Sequence, residues 1–388
     1  MDNWLVDAAY RTLGTNFLLP DVIDTLLEFD FNHADIKYVE RNAFNVKAIP
    51  DTWAKLSENL QIMVTDSERE NRLHTTFMLR QRLIHSLIRS WTHSQDKEIA
   101  KIIWVKINSE LDKGSAYLAN YKGISCTRVT LKVNNNECFG LLRIPSNLPK
   151  ENLNVLITLP GMDMTKEYFP SLIGSRTDFR DFATLSLDPP GHGFSYLNGS
   201  KLSVENVDEF IQKSITWLED HNRHDFSIGK IGVLGIGTSA AYAFRAGIKN
   251  KSLAVVAGFE GGFLFRVEET LSEQSSMRIR KLAKMIDCEK DQVLINLKQL
   301  ALDNQSGKLG IPAIFTVGEY DDLFPKSHLK DFTDLVNAKF AVNFYENEGH
   351  VLGKVVSEAM MLTLDQIEEC FKENFDNLDG VQVIKKRI

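Results

Sequence analysis

Several features that would direct this chain to a membrane, a disulfide scaffold or a nucleic acid are missing from its sequence. No apolar run among the 388 residues is long enough to span a bilayer, and the net charge of −7 disfavours a nucleic-acid partner. The four cysteines form no C-x-x-C pair and no zinc-ligand spacing. The segment Met1–Asp7 has acids where a secretory signal needs basic residues. We therefore expect a cytoplasmic, reducing compartment and no membrane partner.

Cofactor signatures are also scarce. The chain has no P-loop and no cluster of metal ligands, and its one match to G-x-G-x-x-A, from Gly235 to Ala240, is weak on its own. We therefore expect no cofactor and no metal. With 43% hydrophobic and 10% aromatic residues, the composition is typical of a globular protein with a large core. It also favours an enclosed, mostly apolar pocket for a small molecule.

Residues 1–120 have helical periodicity and are predicted to form a helical N-terminal cap or arm. In one predicted helix, apolar residues recur at near-helical spacing, with Arg80, Arg82 and Arg89 between them. These arginines are open to two interpretations. They form either a site for an anionic ligand or a solvated helix face, and the second is favoured.

The pattern changes after residue 120. Thr127–Val133 and Cys138–Ile144 predict a hairpin, in which Cys126 and Cys138 could face each other, although a disulfide is the weaker expectation. Short apolar strands then alternate with amphipathic helices, which predicts an α/β fold with a mostly parallel sheet and helices on both faces. The predicted strands are Val155–Thr158, Ala183–Leu187, Ile231–Leu234, Leu253–Ala257, Ala313–Val317 and Val342–Tyr345.

One later segment lacks strand patterns. Residues 263–307 are predicted to form a helical cap insertion between two strands of the sheet. The α/β core is then expected to comprise residues 121–262 and 308–388. Such an insertion and the N-terminal helices must bury their apolar faces, and we expect both to close over the carboxyl edge of the sheet.

The ends of the predicted strands carry the candidate chemistry, because catalytic groups of open α/β sheets lie at the carboxyl edge. Gly235-Ile-Gly-Thr-Ser239 follows one strand and leads into a helix, which is the setting of a nucleophile elbow. Asp321 follows the next-to-last predicted strand in Gly318-Glu-Tyr-Asp321, and His350 follows the last. The order elbow, acid, histidine is that of a hydrolase triad.

Other strand-end residues are candidates for supporting roles. The backbone N–H groups of Met162, in a glycine turn, and of Thr238, at a helix start, are predicted to form an oxyanion hole. Asp163, His192 and Glu260 lie on loops at the same edge and are candidates for substrate binding. For each of these three, a loop-fixing role is the favoured alternative.

Two strand-end motifs carry a resemblance to a known family. Gly161-Met-Asp-Met-Thr-Lys-Glu167 is similar to G-x-D-S-x-K-E, and Asp188-Pro-Pro-Gly-His-Gly193 is similar to D-x-P-G-x-G. The chain resembles the α/β-hydrolase superfamily, in the branch that contains FrsA-like proteins, fungal Ayg1-type hydrolases and 2,6-dihydroxypseudooxynicotine hydrolase. Over nearly the whole chain, the resemblance implies the α/β-hydrolase fold, helical cap elements, Asp321 as the triad acid and His350 as the base.

The elbow departs from the family wording G-x-S-x-G. Gly237 stands where the nucleophilic serine is expected, and Ser239 stands where the second glycine is usual. Glycine has no side chain, so no acyl-enzyme can form at this position. Ser239 is a weak substitute because we expect it to point elsewhere from inside the helix. Thr238 is expected to act through its N–H.

Three interpretations of function stay open. The chain is a hydrolase of an acyl, aryl or polyketide-like small molecule, such as an esterase, in which Gly237 is an engineered replacement of a serine. Alternatively the glycine is natural, and His350 with Asp321 performs acid–base chemistry as a hydrolase, lyase or cyclase. The third interpretation is a catalytically inactive ligand-binding protein of the same fold. The expected partner is a small-molecule substrate and no nucleic acid, and a homodimer is left open.

Overall fold

A helical arm precedes a sheet with flanking helices. The computed structural model describes residues 32–43, 48–93, 97–162, 164–167, 180–220, 226–274, 276–304, 307–350, 352–353 and 355–384. Within these ranges no helix is both long and apolar enough to cross a lipid bilayer.

The arm consists of amphipathic helices. Pro50 lies in the first turn of the second helix, where the N–H that proline lacks would have no partner within the helix. Trp53, Leu56 and Leu60 follow at helical spacing and are buried against the sheet side. The described helices of the arm are α1 (His33–Asn42), α2 (Ile49–Arg69), α3 (Leu73–His93) and α4 (Lys97–Tyr117).

Two arginines of α3 form ion pairs inside the arm. Arg80 is 8% exposed, pairs with Glu68 and lies 2.9 Å from Glu110. Arg82 donates two hydrogen bonds to the carboxylate of Asp35, at 2.9 and 2.6 Å. Carboxylates of neighbouring helices therefore bind both side chains. Neither of the interpretations from the sequence, an anion site or a solvated face, holds for these two residues.

Nine strands form one sheet, in the order β1-β2-β4-β3-β5-β6-β7-β8-β9. β1 and β2 form an antiparallel hairpin, β2 is antiparallel to β4, and every later neighbouring pair is parallel. The mostly parallel sheet predicted from the sequence is confirmed. The strands are β1 (Ile124–Val133), β2 (Asn136–Pro145), β3 (Leu153–Leu159), β4 (Ala183–Leu187), β5 (Ile228–Ile236), β6 (Val255–Phe259), β7 (Ala313–Tyr320), β8 (Phe340–Gly349) and β9 (Asp379–Ile384).

Two details of the sheet differ from the sequence expectations. β9 was missed because it lies at the sheet edge, where its residues alternate between exposed and half-buried and form no apolar run. The hairpin register pairs Cys126 with Arg143 and Cys138 with Leu131, so the two cysteines do not face each other. All four cysteines are free.

Side chains of alternate strand residues pack into separate hydrophobic cores on the two faces of the sheet. In β3, Val155 and Ile157 join one core, and Leu156 between them joins the other. Continuous apolar runs therefore mark strands that are buried on both faces. The helices after the hairpin are α5 (Gly193–Leu197), α6 (Val204–Asp220), α7 (Ser239–Lys249), α8 (Val267–Ser272), α9 (Ser276–Ile286), α10 (Val293–Leu300), α11 (Leu329–Leu335) and α12 (Val356–Phe371). Residues of α6 to α11 join the first core, and residues of α12 and the arm join the second.

A buried ion cluster joins the arm to the core. The Nζ atom of Lys166 lies 2.5 Å from Glu167 and 3.1 Å from Asp188, and all three side chains are at most 2% exposed. The same Nζ lies 5.3 Å from the ring centroid of Trp104 in α4, a cation–π contact. Trp104 also stacks on Phe194 of α5, with ring centroids 3.3 Å apart. One aromatic side chain thus docks the arm on the loops after β3 and β4.

Replacing Trp104 by alanine should lower the free energy of unfolding by about 2 kcal/mol, less than at a fully buried tryptophan because the side chain is only half-buried. Urea midpoints measure the loss, and limited proteolysis reports whether the arm opens. Val105→Ala is the matched control, because Val105 is the next residue of α4 and is 63% exposed. Its effect should stay within about 0.5 kcal/mol. Equal stability of the two variants would contradict the docking role of Trp104.

Candidate active site

The turn between β5 and α7 has the backbone shape of a nucleophile elbow. Gly237 has a φ of +54°, in the left-handed region that suits glycine and strains other residues. Its N–H donates to the carbonyl of Phe259 at 2.8 Å, and its carbonyl accepts from the N–H of Ala240 at 2.9 Å. Apart from chain neighbours, a Cβ built on Gly237 would meet no atom closer than 3.8 Å. The turn therefore has room for the side chain that it lacks.

The two hydroxyl residues after Gly237 have different environments. Ser239 is fully buried, and its Oγ donates to the carbonyl of Pro160 at 2.6 Å, which ties α7 to the turn after β3. This bond explains Ser239 as a structural residue of the elbow. Thr238 precedes α7, where backbone N–H groups lack partners within the helix. Its N–H is therefore suited to hold a negatively charged oxygen.

His192 supports the elbow from the loop after β4. Its side chain is 2% exposed, with Nδ1 3.1 Å from the carbonyl oxygen of Pro190 and Nε2 3.5 Å from Oγ1 of Thr238. The ring also packs edge-on against Tyr242 of α7. These contacts favour the loop-fixing role over substrate binding.

The turn after β3 approaches the elbow closely. A Cβ on Gly161 would lie 3.3 Å from the carbonyl oxygen of Ile236, and the Cα of Gly161 lies 3.8 Å from the Cβ position of residue 237. Only a residue without a side chain fits comfortably at that distance. Met162, the next residue, is half-buried beside the elbow. Asp163 lies outside the described residues.

Asp321 and His350, predicted from separate strand ends, meet in a hydrogen-bonded pair. The Nδ1 atom of His350 lies 3.1 Å from each carboxylate oxygen of Asp321. Asp321 is 2% exposed and also accepts hydrogen bonds from the N–H groups of Gly261, Leu323 and Phe324, at 2.6, 2.8 and 3.1 Å. The carboxylate is thereby fixed and orients the imidazole. Among the described residues, Nε2 of His350 has no hydrogen-bond partner.

The surroundings of the pair set its charge. Burial alone would raise the pKa of Asp321, but the charge and hydrogen bond of His350 and the backbone donors lower it below its ordinary value. Burial alone would lower the pKa of His350, but the charge and hydrogen bond of Asp321 and the charge of Glu260 raise it to about 9. The carboxylate of Asp321 thus favours the charged form of the imidazole. An imidazole held in this way is equipped to move a proton, and the role of His350 as the base stays a prediction.

The turn after β6 is wedged between the elbow and the acid. A Cβ on Gly261 would lie 2.5 Å from Oδ1 of Asp321, and a Cβ on Gly262 would lie 2.6 Å from the carbonyl oxygen of Gly237. Both positions therefore require glycine. Glu260, which begins the turn, has a φ of +62° and is 7% exposed.

The helical insertion adds a side chain that sequence reasoning missed. Arg278 of α9 lies 2.7 Å from the carboxylate of Asp322, and its positive charge acts to lower the pKa of His350. The insertion therefore reaches the loop that carries the acid. No sequence signal marks Arg278, because α9 is distant from Asp322 along the chain.

One group of potential metal ligands occurs in the described part of the chain. Ligand atoms of Asp321, Asp322 and His350 lie within 4.8 Å of one another. However, Nδ1 of His350 and both oxygens of Asp321 are already bonded to each other, and Asp322 pairs with Arg278. Hydrogen bonds and ion pairs therefore account for this group.

Comparisons with known proteins bear on the fold. No family model matches the sequence, and no curated protein matches it. A crystal structure of 2,6-dihydroxy-pseudo-oxynicotine hydrolase is similar, with a TM-score of 0.77 and 15% identity, over 92% of this chain and 98% of that one. The chain has the α/β-hydrolase fold. The structure of AbyA5 is also similar, with a TM-score of 0.62 and 15% identity, over 88% of this chain and 94% of that one. The fold that the sequence resemblance implied is thus confirmed.

The charge of His350 can be measured directly. NMR titration of its imidazole should give a pKa of about 9, and Asp321→Asn should lower that value by about 1–3 units, since an opposite charge is lost. Because folding raises this pKa, and while Asp321 stays ionised, the stability contributed by protonated His350 is complete below pH 6.5 and is lost as the pH rises through about 9. Asp322→Asn is the control and should change the pKa far less. A pKa below 7 in the unaltered protein would contradict the assigned pair.

Proposed function

We propose that this chain is a hydrolase of small acyl compounds, which cleaves an ester, a thioester or a C–C bond without an acyl-enzyme intermediate. The observation that carries the proposal is the His350–Asp321 pair at the same sheet edge as an elbow whose nucleophile position is Gly237. A histidine held by a buried carboxylate is equipped to move protons. A glycine elbow keeps the turn but cannot form a covalent intermediate.

The chemistry of such a site requires three contributions. The N–H groups of Thr238 and Met162 hold the oxyanion that forms when a carbonyl is attacked. Water, in the space beside Gly237, supplies the attacking oxygen in place of serine. The His350–Asp321 pair moves the proton that accompanies bond cleavage. Hydrolases that have lost one triad residue retain roughly 10³–10⁴-fold catalysis over water from the remaining parts.

Similar structures support a small substrate. The structure with the TM-score of 0.77 is named as the hydrolase of 2,6-dihydroxy-pseudo-oxynicotine, a small molecule. We also propose that the helical arm and the insertion act as cap elements over the carboxyl edge and enclose this substrate. A lyase or cyclase reaction would use the same proton-transfer pair. The ester panel described below separates hydrolysis from these reactions.

The glycine also supports a second candidate function, a ligand-binding protein that has lost catalysis. Without a hydroxyl at residue 237 the usual serine chemistry is absent. The oriented His350–Asp321 pair weighs toward an enzyme, since binding alone does not need an aligned proton donor. If the glycine replaced a natural serine, the chain is an ordinary serine hydrolase with its nucleophile removed.

Replacing His350 by alanine should lower the rate of hydrolysis by about 10²–10⁴-fold, the usual range for positioned acid–base catalysis. A panel of small esters and thioesters, measured at saturating and limiting concentrations, gives kcat and KM. A fluorophosphonate probe should not label the protein, because no activated hydroxyl stands at the elbow. Strong labelling at another residue would show that a nucleophile was overlooked.

The change Gly237→Ser distinguishes the two explanations for the glycine, namely replacement of a natural serine and a naturally occurring glycine. The turn has room for the serine Cβ, and elbow serines occupy this strained backbone region. The variant should become labelled, and labelling should need His350. A large gain in hydrolysis would favour a lost serine, whereas unchanged or reduced hydrolysis would favour a natural glycine. Inactivity of every form, together with tight binding of a substrate analogue, would favour the binding protein.

A further inference from the structure

Glu260 holds its carboxylate beside the position that lacks a side chain. The Oε2 atom of Glu260 lies 3.8 Å from the place of a Cβ on Gly237. The hydroxyl of a serine extends one bond beyond Cβ, so the carboxylate lies in the neighbourhood of that missing oxygen. The backbone of Glu260 is in the left-handed region and is held there by a 2.9 Å hydrogen bond from its N–H to the carbonyl of Thr316. Strained backbone of this kind is often kept at functional sites.

The carboxylate of Glu260 differs sharply from that of Asp321. The side chain is 7% exposed, yet no described residue donates a hydrogen bond to its carboxylate. Asp321 in contrast accepts three backbone N–H groups and the imidazole. A carboxylate beside the elbow whose oxygens accept no hydrogen bond from the described residues can engage a group that arrives with the reaction. Asp321 is committed to orientation, and Glu260 is available to water or substrate.

The charges around the two groups separate their roles. Burial raises the pKa of Glu260 to about 7, with a further rise from Asp321 that is opposed by His350. The charges of Asp321 and Glu260 raise the pKa of His350 to about 9, whereas burial and the charge of Arg278 act to lower it. Between these two values the carboxylate form of Glu260 and the cationic form of His350 are both favoured. The carboxylate can accept a proton, and the cation can donate one.

We propose that Glu260 is the catalytic base of this site and replaces the absent serine in activating a water molecule above Gly237, while His350 is the acid. This inference rests on the proposed hydrolase function. The chain's own residues thereby form an acid–base pair on either side of the reacting carbonyl. Such a site performs hydrolysis in one addition and one elimination step, without a covalent intermediate.

The atoms of the reaction balance as follows. The oxygen of water forms a bond to the acyl carbon, and its proton passes to Glu260. The resulting oxyanion is held by the N–H groups of Thr238 and Met162. When the intermediate collapses, the bond to the leaving group breaks, and Nε2 of His350 gives that group its proton. Proton transfer from Glu260 to His350 through water then restores both residues.

The isosteric change Glu260→Gln removes the base and keeps the shape. Hydrolysis of p-nitrophenyl acetate and of ethyl acetate should both fall by about 10²–10⁴-fold at pH 8. His350→Gln should reduce hydrolysis of the ethyl ester far more, because p-nitrophenolate leaves without needing a proton. Glu268→Gln is the matched control, since Glu268 is an exposed carboxylate of α8, and its rates should stay within about twofold of the unaltered protein.

The pH profile and an isotope experiment supply independent readouts. For the ethyl ester, kcat/KM should rise with ionisation of Glu260 near pH 7 and fall as His350 loses its proton near pH 9. Glu260→Gln should remove the acidic limb and lower the pKa of His350 measured by NMR, which also verifies that the variant is folded. After turnover in H₂¹⁸O, label should appear in the product acid and not in Glu260. Label in Glu260 would overturn the base role in favour of a nucleophilic one.

Two outcomes separate failure of the Glu260 assignment from failure of the proposed hydrolase function. Full activity of Glu260→Gln, with activity lost in His350→Ala, would overturn this inference and leave the proposed hydrolase function intact. The absence of hydrolysis from every form, including Gly237→Ser, would overturn both.

Discussion

The carboxylate of Asp321 is the junction on which the geometry of this sheet edge depends. It lies after β7, accepts the N–H of Gly261 after β6, and holds the imidazole of His350 after β8. A carboxylate buried this deeply is stable only while its acceptor sites are filled. The three strand ends are therefore coupled. Gly261 has no room for a side chain for the same reason, since its Cα lies against that carboxylate.

The missing side chain at residue 237 and the raised pKa of His350 are linked by one group, the carboxylate of Glu260. In a serine triad the histidine must be neutral to take the proton of the hydroxyl. In this chain a second carboxylate, that of Glu260, adds to the field of Asp321, and both raise the pKa of His350. A serine at residue 237 would need that imidazole in its neutral form in order to give up its proton. The glycine needs no such proton transfer, and the turn has room beside it.

The helical arm is linked to the same edge through buried charge. Asp188 accepts the backbone N–H groups of Lys166 and Phe194, at 2.7 and 2.9 Å, so it holds together the loops after β3 and β4. The first of these loops also carries Met162 to the elbow. Trp104 of the arm covers both Lys166 and Phe194. Packing of the arm thus supports the loop that carries Met162, the proposed oxyanion donor, although the arm contributes no catalytic group to the proposed mechanism.

Local patterns in the sequence predicted most of the sheet and part of the candidate site. Apolar runs marked the strands that are buried on both faces, the glycines of residues 235 and 237 marked a strand-to-helix turn, and the order of Asp321 and His350 predicted a pair that forms at 3.1 Å. Only the tertiary structure decided that Arg80 and Arg82 form ion pairs with carboxylates inside the arm. It also decided that β9 is the last strand of the sheet and that Glu260 lies beside Gly237. It further decided that two neighbouring carboxylates raise the pKa of His350. The physical reason is that apolar periodicity and turn chemistry act within a few residues, whereas ion pairing, burial and pKa depend on groups that only folding brings together.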